Sequence, residues 1–315
     1  MVRLAADDRP IVIASLFVLV ILALGSAYTL ATQGSLGFLN PGYLLQQLQV
    51  GAFLGIVAAG MMLVILLGHI DLSVPWTLAA AAMVATAVGG AVAVPVGLAI
   101  GLAVGIFNGI GVAYLRIPSM IFTLGVNAMM RGLMVMLTGG FAPQTDATPL
   151  MSFLATGRVL GLPMALVVWA LVSVAMVFLL SRTVFGRYVY AIGNREAAAY
   201  LSGVPTRAVL VGAFALCGLC SGLAGVLLAG YSAKAYQGMG DAYLLPSIAA
   251  VVIGGTHILG GRGRYAGTVV GAILITLLSS VLSVMQMPEA GRQIIYGLVI
   301  IVMLLAYGRS RPAGA

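Results

Sequence analysis

Apolar residues in this chain come in long unbroken runs, not in the alternation of a half-buried strand or the one-sided stripe of a surface helix. Ten runs can be marked, at about 11–31, 44–67, 76–90, 92–114, 119–138, 162–181, 208–230, 246–258, 265–285 and 292–307. A helix needs about 20 apolar residues to cross a bilayer, and one that is apolar all round is buried in protein or in lipid. The pattern therefore predicts an all-α integral membrane protein of about ten transmembrane helices, forming a single transmembrane domain over residues 1–315. The third and eighth runs are short. They flank polar or glycine-rich breaks, Gly68-His69-Ile70-Asp71-Leu72-Ser73-Val74-Pro75 and Gly260-Gly261-Arg262-Gly263-Arg264. Gly139–Gly161, with Pro143, Pro149 and Pro163 around it, reads as a longer irregular loop.

Charge gives the chain a direction. Arg3 and Arg9 precede a first run longer than the 7–15 residues of a secretory signal core, so that run reads as a span starting in the cytoplasm and not as a cleaved signal. Ten spans put both termini on the same side. With the termini inside, the inner segments hold eleven basic residues, among them Arg116, Arg182, Arg187, Arg195, Arg207, Arg262 and Arg264. The outer segments hold three, Arg158, Lys234 and Arg292. That asymmetry is what orients membrane helices. It also accounts for the formal net charge of +8 without a nucleic-acid partner.

Composition narrows the class. Hydrophobic residues make up 62% and charged residues 7%, against about 25% charged in soluble domains, which excludes a soluble protein. Gly97, Gly101, Gly105 and Gly109 recur every fourth residue, and Gly218 with Gly222 and Gly267 with Gly271 repeat the device. Such stripes let helices approach backbone to backbone, in a static contact or a sliding one. Cys217 and Cys220 share one helix face inside an apolar run, with no His or acid nearby in sequence, and read as packing residues.

Candidate chemistry is sparse. Two His stand 188 residues apart, and the HExxH, G-x-S-x-G and CxxCH patterns are absent, so no catalytic residue, metal ligand or cofactor is expected. A Walker A loop needs a Lys after Gly, and the single Lys, Lys234, sits between alanines. Active transport would then draw on an ion gradient or a separate ATPase. Ionisable groups within or beside the spans are Asp71, Arg131 and His69. Each reads as a functional site or as structure: Asp71 as a cap for the following helix, Arg131 as a snorkelling side chain. Gln46, Gln47, Gln49, Asn108 and Asn127 would line a path or hold helices together.

The one long polar stretch, 182–207, holds four of the fifteen basic residues and one acid. Asn194 suits an N-cap, Glu196 the first turn, Ala197–Leu201 a helix interior, and Gly203 with Pro205 the stop. This predicts a helix of about two turns on the cytoplasmic side, between spans six and seven. So short a helix is marginal alone and must dock, on a partner subunit or on its own membrane domain.

Gly193-Asn194-Arg195-Glu196-Ala197-Ala198 with Ser202-Gly203-Val204 resembles the coupling-helix region of permease subunits of bacterial ABC importers. The break Gly68-His69-Ile70-Asp71-Leu72-Ser73-Val74 is similar to the Gly-Gly-Ile-Asp-Leu-Ser-Val-Gly of the monosaccharide (ribose/xylose/arabinose-type) branch. A third match is Val252-Ile253-Gly254-Gly255-Thr256 with Gly260-Gly261-Arg262-Gly263 and Gly267-Thr268. Arg116-Ile117-Pro118, Thr123-Leu124-Gly125 and Arg131-Gly132 form a weaker fourth. The likeness covers nearly the whole chain. His69, Pro75-Trp76 and His257 depart from it, and leave the particular sugar open.

The resemblance implies a multi-pass bacterial inner-membrane permease. A second permease subunit would complete the translocation path, a separate ATP-binding-cassette ATPase would dock from the cytoplasm, and a periplasmic sugar-binding protein would meet the loops at 139–161, 231–246 and 285–291. It assigns coupling to Gly193, Asn194, Arg195, Glu196, Ala197, Ala198 and Gly203. It leaves His69, Asp71, Ser73, Asn108, Asn127 and Arg131 as candidates for path or gate. The other readings are a permease for branched-chain amino acids or nucleosides, and a self-sufficient ion-driven carrier. A membrane-embedded enzyme is disfavoured, because no paired acid and base or metal cluster exists.

Overall fold

The computed structural model describes residues 9–308. Their order is α1 (Arg9–Gln33), α2 (Pro41–Leu66), α3 (Val74–Val88), α4 (Ala93–Ala113), α5 (Ser119–Thr138), α6 (Pro149–Thr156), α7 (Met164–Arg182), α8 (Val184–Asn194), α9 (Glu196–Leu201), α10 (Thr206–Ser232), α11 (Leu244–Ile253), α12 (Tyr265–Val284) and α13 (Glu289–Gly308). Each of the ten apolar runs holds a helix. Seven of these, α1, α2, α4, α5, α7, α10 and α12, are long and apolar enough to cross a membrane. α3 and α11 have 15 and 10 residues, which at 1.5 Å per residue is about 22 and 15 Å, short of the roughly 30 Å of a bilayer core. They are half-length helices beside the two breaks. The expected termini, with Arg3, Arg309 and Arg311, lie outside the described residues.

The centre is α2. Every residue from Gly51 to Leu66 is buried, because this helix is apolar on all sides and other helices surround it. α10 packs against α2, α3 and α4. The glycine stripe of α4 finds its partner here. A Cβ at Gly101 would collide with the Gly218 carbonyl, and one at Gly218 with the Gly101 carbonyl, while at Gly109 the nearest atom is the Val211 Cα at 2.6 Å. Gly267 of α12 meets the Gly254 carbonyl at the end of α11 in the same way.

Three expectations change. The segment 139–161 is partly ordered: Thr148 Oγ1 accepts from Met151 N at 3.3 Å and Pro149 opens α6. A two-residue hairpin then pairs Arg158–Val159 with Leu162–Pro163. The polar stretch folds as two helices. Asn194 is not an N-cap but the last residue of α8, its Nδ2 donating to the Tyr190 carbonyl at 3.1 Å. Arg195, extended at φ −162°, ψ 99°, heads α9 without a side-chain cap. Lastly, the segment after Lys234 is not simply an outer loop. Ala235 and Met239 are buried, and Gly240 packs on the Pro75 carbonyl at the start of α3 before a 3₁₀ turn, Asp241–Tyr243, leads into α11.

Candidate functional site

The break between α2 and α3 is built from backbone groups that a helix would have satisfied internally. Gly68 takes φ +79° and ends α2. Beyond it, α5 supplies the missing acceptors. Ser119 Oγ lies 3.4 Å from Ile70 N and 3.2 Å from His69 Nδ1, and Thr123 Oγ1 accepts from Leu72 N at 2.9 Å. Non-helical backbone at membrane depth is tolerated only where protein satisfies it. Those two hydroxyls do so.

Asp71 is 1% exposed. Its Oδ1 accepts from Ser73 N at 2.9 Å and from Ser73 Oγ at 2.7 Å. Asn108 Nδ2, from α4, donates to Ser73 Oγ at 2.7 Å and stands 3.3 and 3.4 Å from the two carboxylate oxygens. The Cys217 thiol of α10 is a further partner. A helix cap was one reading of Asp71. The structure gives a local turn instead, since Ser73 occupies the N-cap position of α3 and makes no side-chain capping bond. The carboxylate ties three segments together: the break, α4 and α10.

Further along α5, Asn127 Oδ1 accepts from Trp76 N at 3.3 Å, and the Arg131 guanidinium lies 5.9 Å from the Trp76 ring. Arg131 is exposed as a snorkelling side chain would be, but it rests on an aromatic face. The candidates His69, Asp71, Ser73 and Asn108 are thus gathered at one break, with Asn127 and Arg131 adjoining. Sequence reasoning missed Ser119 and Thr123. Their signal was present: Ser119, Thr123, Asn127 and Arg131 stand four apart, a polar stripe on one face of an apolar helix. Cys217 had no such signal, because its partner lies 146 positions away.

The three motif segments meet where α2 ends. Gly261 N donates to the Leu66 carbonyl at 2.9 Å. A Cβ at Gly193, in α8, would strike that same carbonyl, and at 2.5 Å the Gly261 nitrogen. At Gly260 it would come within 2.8 Å of Gly68 N, and at Gly261 within 2.7 Å of Asn194 Oδ1. Tyr190 Oη donates to the Gly263 carbonyl at 2.8 Å. From this junction α9 stands out. Ala199 is buried against the membrane domain, while Arg195, Glu196, Ala197 and Ala198 are exposed and Leu201 is 85% exposed. Gly203, at φ +82°, ends the turn as expected.

Residues 43–304 match the family described as "Branched-chain amino acid transport system / permease component". The chain belongs to this family and is a membrane permease subunit of an ABC importer. Among curated relatives, the ribose import permease protein RbsC of Haemophilus influenzae is 37% identical over 84% of this chain and 83% of its own length. That of Bacillus subtilis is 38% identical over 85% of each. The autoinducer 2 import system permease protein LsrC of Yersinia enterocolitica is 37% identical over 66% of this chain and 57% of its own. No solved structure matches.

Proposed function

We propose that this chain passes a monosaccharide through the bacterial inner membrane as the permease subunit of an ABC importer, driven through α9 by a separate ATPase. The observation that carries the coupling is the junction. Three segments far apart in sequence, at 68, 193 and 260, are joined there by backbone contacts beside a short helix whose outer face is exposed. The assignment of a sugar is supported by the relatives, which are named for ribose and autoinducer 2 import. Residues 1–315 carry no Walker A loop, which supports a separate ATPase. Arg195 and Glu196 make the polar contacts in its groove. A ten-span topology puts both termini and α9 in the cytoplasm, in agreement with the positive-inside count. A second permease subunit completes the path, and a periplasmic binding protein delivers the sugar to the opposite face.

The test is uptake of labelled pentoses and hexoses in cells with and without this gene, and with and without the ATPase. Loss of one sugar in both deletions is the expected result. Uptake that survives without the ATPase and collapses with an uncoupler would make this an ion-driven carrier. Uptake of leucine or a nucleoside in place of any sugar would move it to another branch.

A further inference from the structure

At the end of α2 remote from the junction, a cleft of about 490 Å³ opens between α2, α11, α12 and α13. Its lining stands out in a chain with 7% charged residues. Tyr43 and Gln47 come from α2, Ser280 and Ser283 from α12, and Glu289 and Arg292 from α13. We infer that this cleft is a binding site for one neutral monosaccharide on the outer face of the membrane domain, where sugar first meets the permease. The inference rests on the import reading above and names a place for its substrate.

Several observations point to that ligand class. Hydroxyls dominate the polar lining, and a hydroxyl both donates and accepts, as the hydroxyls of a sugar do. Tyr43 Oη lies 2.5 Å from Ser280 Oγ, and Arg292 Nη1 donates to Ser283 Oγ at 3.0 Å, so the groups are held in place before a ligand arrives. The charge of the cleft cancels. Arg292 Nη2 is 3.4 Å from Glu289 Oε2, which leaves no net attraction for an anion or a cation, and a zwitterionic amino acid would have to part the pair. Arg292 Nε is buried and has no hydrogen-bond partner among the described residues, a donor that a sugar oxygen would satisfy. The volume falls within the roughly 300–1,000 Å³ of small-molecule sites. The lining runs along α2 from Tyr43 to Leu54, about 16 Å at 1.5 Å per residue, and ends beside Pro246 of α11.

The native thiols, Cys217 and Cys220, are both buried, so a cysteine placed in the cleft reports alone. Ser283→Cys and Gln47→Cys, on opposite walls, would be made in the full-length chain in cells carrying the whole importer. A membrane-impermeant maleimide would be applied from outside, with ribose, other pentoses and hexoses, or leucine as competitors. Both cysteines should label, and one sugar should slow labelling about threefold at twice its Kd, with leucine without effect. Labelling indifferent to every sugar in variants that still import one would overturn the cleft and leave the import reading standing. Protection by leucine alone, or cysteines that cannot be reached from outside, would overturn it too. Absence of any sugar uptake in the wild type is the different result that defeats the import reading. Should one variant fail to reach the membrane, the other carries the same test.

Discussion

Asp71 shows how one side chain can be structural at a place where function is expected. It accepts from Ser73, Asn108 and Cys217, and each buried group left without a partner costs about 1–3 kcal/mol. Asp71→Ala should therefore lower the thermal midpoint of the detergent-solubilised protein by several degrees, and its yield in membranes with it. Asp71→Asn keeps an oxygen for Ser73 and should retain both fold and uptake. If uptake vanished while the midpoint held, the carboxylate would be an ion site and the structural account would fail. His69→Gly, toward the residue usual in similar permeases, removes a contact to Ser119. Assembly should survive, read as normal elution of the importer on size-exclusion chromatography. Collapse would show that His69 holds the break.

Among the helices, small residues decide which pairs touch. Gly101→Leu would drive a side chain into the Gly218 backbone and push α4 off α10. Overpacking of this kind costs about 1–3 kcal/mol, visible as a lower thermal midpoint, while Gly125→Leu in α5, with open space around it, should leave the midpoint unchanged. The ten apolar runs were legible because hydropathy over 20 residues is a strong signal and both breaks carry glycine and polar residues. The glycine stripe was legible as well, though which helix answered it was not, since partners in a bundle are chosen by three-dimensional fit. The reading of Asn194 failed for a definite reason. Its preference for the N-cap is weak beside the eleven residues of α8, which draw it in as a last turn and leave Arg195 to head α9. The inward course of 235–243 gave no hint, because its mix of Gly, Ala, Tyr, Gln, Met and Asp has no apolar period and suits a surface turn and a packed one equally.

For the molecule as a whole, the two ends of α2 are built differently, with the polar cleft at one and the junction at the other, about 35 Å apart by helix rise over 23 residues. Arg195→Ala combined with Glu196→Ala touches only the exposed face of α9. The protein should still reach the membrane at normal levels, and co-purification of the ATPase should fall several-fold, with uptake falling in parallel. Unchanged co-purification would remove those two side chains from the contact. The junction itself has a mechanical consequence. Where side chains separate two segments, a small push is absorbed by a change of rotamer. At Gly193, Leu66 and Gly261 no side chain intervenes, and main chain bears on main chain. If α9 couples to the ATPase as proposed above, a displacement passed on to α8 meets main chain at Gly193, with no rotamer to absorb it before the end of α2.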